Sequence, residues 1–92
     1  MSESDNNTVR EYLQTNLTMP PKERDPRGVI VDIGAVDLRS IVAEVGRERG
    51  YTFFGYDSSG AELIIDHKTV KISRNPIGPS LCRIIISETP LA

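Results

Sequence analysis

Hydrophobic spacing along this chain changes character three times. In the first third, Val9, Tyr12, Leu13 and Leu17 fall close to one face at helical spacing, which predicts a helix over 8–17. Thr8 and Glu11 have the separation of a capping box, in which each side chain satisfies a backbone N–H at the helix start. A helix this short is marginal alone, so it must dock on something. Residues 1–6 are polar and read as a frayed tail. From Met19 to Arg27 the periodicity disappears. Pro20, Pro21 and Pro26 stand among charged side chains, the composition of a linker. Residues 1–27 therefore read as a tail, a short helix and a Pro-rich connector that together can form an arm.

The pattern then becomes that of a compact unit over 28–92. Val29-Ile30-Val31-Asp32-Ile33 is a β-branched run between Gly28 and Gly34, apolar on both faces, and predicts a central strand. Leu38, Ile41, Val42 and Val45 follow the i, i+3, i+4, i+7 rule of a core-facing helix over 37–49. Asp37 is its N-cap, and Val36 with Ile41 has the spacing of a hydrophobic staple. Gly46 or Gly50 ends it, and Arg47 and Arg49 complement its C-terminus. After Gly50 the period drops to two. Tyr51–Tyr56, Leu63–Ile65, Thr69–Arg74 and residues 81–87 read as strands. Asp57-Ser58-Ser59-Gly60 and Asp66-His67-Lys68 are the turns between them. Pro76 and Pro79 predict a loop over 75–80, and residues 88–92 read as a tail. The fold expected is α+β: a mostly antiparallel sheet of four to five strands, the 37–49 helix on one face, and an N-terminal helix at 8–17.

Composition narrows the functions. A net charge of −2 gives no global field toward nucleic acid or an anionic membrane, so any such binding needs a local patch. No apolar run approaches a membrane span, and the first seven residues lack the basic and apolar regions of a secretory signal. A cytoplasmic protein is the expectation.

Candidate chemistry is sparse. Cys82 is the lone cysteine and lies in the apolar run Leu81–Ile86, where it reads as a small buried hydrophobe. Neighbouring Arg83 is the one feature that favours a reactive thiolate instead. His67, the lone histidine, falls in a turn. One His and one Cys do not make a zinc site, so no metal and no cofactor are expected. Asp32 and Asp37 flank a strand-to-helix turn, a placement also found in phosphate and metal enzymes, but a cap and a solvated carboxylate account for both. An enzyme using this pair is a remote alternative, and no catalytic residue is assigned.

The most uneven feature is charge. From His67 through Ser87 there are four cations, Lys68, Lys71, Arg74 and Arg83, and no acid. With Tyr51 and Tyr56 nearby, they would suit an RNA- or DNA-binding sheet face that stacks bases and tracks phosphates. No RNP-type aromatic motif or basic Gly-x-x-Gly loop accompanies them. The favoured expectation is a non-enzymatic interaction module, regulatory or assembling, that contacts a protein partner or forms a homo-oligomer. Tyr12, Leu13, Leu17 and Met19 of the arm and Ile85 of the last strand are its candidate interface. An edge at Thr69–Arg74 or 81–87 would be available for strand addition, although Lys71 guards against it, and the apolar side chains on both faces of 81–87 predict that this strand is central or covered by a subunit interface.

Overall fold

The computed structural model describes residues 3–90, with the side chains of Glu3, Ile33 and residues 88–90 outside the description. Helix α1 spans Glu3–Asn16 and helix α2 spans Leu38–Arg49. Five strands follow the chain as β1 (Val29–Asp32), β2 (Thr52–Asp57), β3 (Gly60–Ile65), β4 (Lys68–Pro76) and β5 (Leu81–Pro90). They form one antiparallel sheet in the order β1-β5-β4-β3-β2. The α+β architecture expected from the periodicity is the one observed. No helix among the described residues is long and apolar enough to cross a membrane.

Both helices pack on one face of the sheet. α1 lies over β1 and β5, α2 lies over β2 and β3, and the two helices pack on each other. The core is the layer between: Val9, Leu13, Leu38, Val42 and Val45 from the helices meet Leu63, Val70, Ile72, Cys82 and Ile84 from the strands. Asp37 caps α2 as expected, its carboxylate accepting from the Ser40 amide at 3.3 Å. Gly50 is the C-cap in the left-handed conformation, while Gly46 stays inside the helix. A side chain at Gly46 would meet Leu63 Cδ2 at 2.9 Å, so the bare backbone there lets α2 approach β3.

Several expectations are corrected. α1 begins at Glu3, so residues 3–6 are helical rather than a frayed tail, and Met1 and Ser2 lie outside the described residues. The Thr8–Glu11 capping box does not form. Thr8 sits in the second turn, where its hydroxyl donates to the Ser4 carbonyl at 2.9 Å. β1 is an edge strand, not a central one, because β5 pairs with it on one side only. β4 is not an edge, and β5 is interior, as the apolar side chains on both its faces predict. β4 runs through Asn75 to Pro76, which pairs with Cys82. The ladder tolerates this proline because β3 stops opposite Ser73, leaving no third strand that needs the missing N–H. β5 likewise continues through residues 88–90, and 91–92 lie outside the description.

The segment that could form either an arm or part of the core is folded back on the domain. Buried Asn16 accepts the Asp25 amide at 3.1 Å and donates to the Tyr12 carbonyl at 2.9 Å. Arg24 Nε donates to the Asn16 carbonyl at 2.9 Å. Arg10 pairs with Glu44 across the helices at 2.9 Å. These polar ties flank the apolar stripe Val9, Tyr12, Leu13 and Leu17, which is buried.

Candidate functional site

Helices on one face leave the other face of the sheet uncovered. Strand alternation decides what it displays. Val31, Cys82, Ile84, Ile86, Val70 and Ile72 point to the helices and are buried. Ile30, Arg83 and Asn75 are register neighbours on the open side. Leu81 and Ile85 lie two residues either way from Arg83 along β5, on that same side. Ile30 is 52% exposed and Leu81 44%. Ile77, also exposed, adjoins them by donating its amide to the Leu81 carbonyl at 2.9 Å. At the β1–β5 end, therefore, apolar side chains surround Arg83. The Arg83 Nε is buried there, with no hydrogen-bond acceptor among the described residues.

The four cations of the C-terminal half do not converge. Lys71 and Arg83 share the open face, but Lys71 reaches the β2–β3 turn, donating to Ser59 Oγ at 2.6 Å. Arg74 lies on the helix side, in register with buried Ile84, and its guanidinium sits 5.5 Å from the Tyr56 ring centroid. Lys68 is at the other end of β4, beside Met19 and Tyr51. Alternation along β4 separates Lys71 from Lys68 and Arg74.

Of the expected protein interface, Tyr12, Leu13 and Leu17 are buried in the core, with Leu17 also at the wall of the cleft beside Met19. Their apolar stripe has its partner within this chain. Met19 lines an open cleft of about 380 Å³ with Pro20, Tyr51, Ile65 and Lys68. Ile85 is on the helix-free face.

The remaining candidate chemistry is absorbed by local structure. Asp32 accepts the Gly34 amide at 2.8 Å, capping a short 3₁₀ turn at Ile33–Ala35. Asp37 holds Ser40 through its amide and its hydroxyl. Asp66 and His67 both have positive φ, 50° and 66°, and form the two-residue β3–β4 turn. Burial pushes the Cys82 thiol up; nearby Arg74 pulls it down and Asp32 adds to the rise. Arg83 does not act on it as a neighbour in sequence suggested, because adjacent strand residues face opposite ways. Among the described residues, no group of three or more His, Cys, Asp or Glu is placed to hold a metal ion.

A second cleft lies where α2 meets the β2 edge. It holds about 520 Å³ and is lined by Arg39, Ser40, Ala43, Arg47, Tyr51 and Phe53. Arg39 and Arg47 make no hydrogen bond or ion pair among the described residues. β2 carries a bulge between Phe53 and Gly55, and Phe54 there is exposed. The sequence offered one signal for this cleft, the i, i+4, i+8 spacing of Arg39, Ala43 and Arg47. The same spacing serves any solvated helix face, so only the position of β2 gives it meaning.

No family model, curated protein or solved structure matches this chain.

Proposed function

We propose that this chain is a small non-enzymatic interaction module, with a regulatory or assembly role, that works through protein–protein contacts at the β1–β5 end of the helix-free face. The observation that carries the reading is Arg83, whose buried Nε has no acceptor amid Ile30, Leu81 and Ile85. Leaving a buried donor unsatisfied costs about 1–3 kcal/mol. A protein surface that brings a carboxylate to this guanidinium removes this cost once the Arg83 side chain turns to present its Nε, and it also covers the exposed isoleucine and leucine. A central Arg ringed by apolar side chains is also the arrangement in which interfaces concentrate their binding energy.

A second copy of the chain is the first partner to test. β1 is an edge strand without Lys, Pro or bulge; Asp5 of α1 accepts the Asp32 amide at 3.2 Å, so the backbone open to pairing is that of Val29–Val31. Antiparallel pairing of two β1 edges about a two-fold axis would bring two Ile30–Arg83 patches side by side. Light scattering from low micromolar to millimolar concentration tests this. The expected result is a mass rising above the 10.2 kDa monomer, reverting to monomer for Ile30→Asp. A wild-type mass that stays monomeric throughout overturns the reading of this face as a self-contact.

A further inference from the structure

We infer that the cleft between α2 and the β2 edge binds an extended acidic peptide segment from another protein, independently of the contact proposed for the helix-free face. Charge complementarity is the first argument. Two guanidiniums, Arg39 and Arg47, border the cleft, and no acidic residue among those described lines it. Neither cation has an internal partner among the described residues, although the chain as a whole is net acidic. Elsewhere on the same helix Glu44 is engaged by Arg10, and Arg49 is tied to the Gln14 carbonyl. The two unengaged arginines are therefore those on the side facing the cleft.

Geometry specifies the peptide. Arg39 and Arg47 are eight residues apart on α2, about 12 Å along the axis. An extended chain covers about 13 Å in four residues, and positions i, i+2 and i+4 point the same way. Acidic side chains at i and i+4 thus reach both arginines. Ala43 lies midway between them, and its small side chain leaves room for an apolar residue at i+2 against Tyr51 and Phe53. On its other flank the peptide runs beside an edge strand, whose outward backbone groups can take it as an added strand. The bulge at Phe54 ends such pairing after a few residues, which favours a short ligand.

The probe is an end-blocked, fluorescent peptide with the core glutamate, any residue, leucine, any residue, glutamate, followed by anisotropy at low salt. Saturable binding is expected. It weakens on the order of tenfold for the Arg39→Glu, Arg47→Glu double variant, whose altered residues are on the surface. A scrambled peptide with adjacent glutamates, which point to opposite sides, is expected to bind several-fold less. Ala43→Arg separates a shaped site from mere attraction. It adds positive charge but fills the middle of the cleft, so binding should fall. Ile30→Asp should leave peptide binding unchanged, so failure of the sheet-face contact and failure of this site give different results. No saturable binding overturns the inference. So does equal binding of the scrambled peptide, tighter binding by Ala43→Arg, or a single-stranded oligonucleotide that competes at lower concentration than the peptide.

Discussion

The Ile86 amide donates to the Tyr12 hydroxyl at 3.3 Å, joining α1 to β5. β1 pairs with β5 only as far as Val29 opposite Ile84, so the sheet offers Ile86 no strand partner on that side. The phenol takes the strand's place, and its own O–H lies 3.5 Å from the Asp25 carbonyl in the connector. One side chain thus holds helix, sheet and connector together.

Tyr12→Phe is expected to lower stability by about 1–2 kcal/mol, because it leaves the Ile86 amide buried without a partner. Urea denaturation at neutral pH measures this. Burial raises the Tyr12 pKa above its ordinary 10.0, an effect that the Ile86 hydrogen bond offsets only in part. The unfolded chain therefore releases this proton first. Stability from the neutral phenol is intact below pH 10 and is lost as pH rises toward the folded value. The gap between wild type and Tyr12→Phe should narrow above pH 10. A gap that stays constant would show that the phenol does not titrate differently on folding.

Removing residues 1–18 should abolish cooperative unfolding of what remains. Val9, Tyr12, Leu13 and Leu17 belong to the same core as α2 and the sheet, so truncation would expose that core over β1 and β5. Leu13→Ala, a milder change, should cost about 2–5 kcal/mol. A circular dichroism melt of the truncated chain is the check, and a sharp transition near the wild-type temperature would show that 19–92 stands without α1.

The two hairpin turns should respond in opposite directions. Gly60 has φ of 143°, and a Cβ there would collide with the Ile72 carbonyl of β4. Gly60→Ala is expected to destabilise by roughly 2–3 kcal/mol or more. His67 sits in left-handed backbone that a side chain disfavours, so His67→Gly should stabilise by about 1 kcal/mol. Thermal melts of both variants test the pair.

Cys82 is 1% exposed, and burial raises its thiol pKa, so it should resist alkylation at neutral pH while the chain is folded. Its rate of modification by a maleimide across a urea series should follow the unfolded fraction. Fast reaction in native buffer would contradict a structural role for this thiol.

The sequence was sufficient wherever an element is defined by its own neighbours. Leu38, Ile41, Val42 and Val45 recur at the helical period, Asp37 caps, and the strands from Thr52 to Ser87 alternate. These local regularities arise from one buried face per element, and each carries its own record of that face. Turn chemistry at Ser58-Ser59 and Asp66-His67 is equally local. Pairing over distance leaves no such record. An apolar run like Val29–Val31 looks the same at an edge as in the centre, because α1 covers one face and Ile30 is left open on the other. Pro76 looked like a strand breaker because sequence does not show that β3 ends opposite Ser73.

The candidate sites follow the same division. Sequence determined that the chain has one histidine and one cysteine, and that the cations of its C-terminal half cluster along the chain. Tertiary structure decided that Lys71 and Arg74 face opposite ways, and that the stripe of α1 is consumed by this chain's own core. It also decided that Arg83 Nε lies near Ile30, Leu81 and Ile85 with no acceptor among the described residues, and that Arg39 and Arg47 flank the β2 edge. The physical reason is that a side chain's periodicity reports only that it has a buried or exposed side. Which surface it meets is set by strand order and helix docking, and those depend on contacts between residues far apart in the chain.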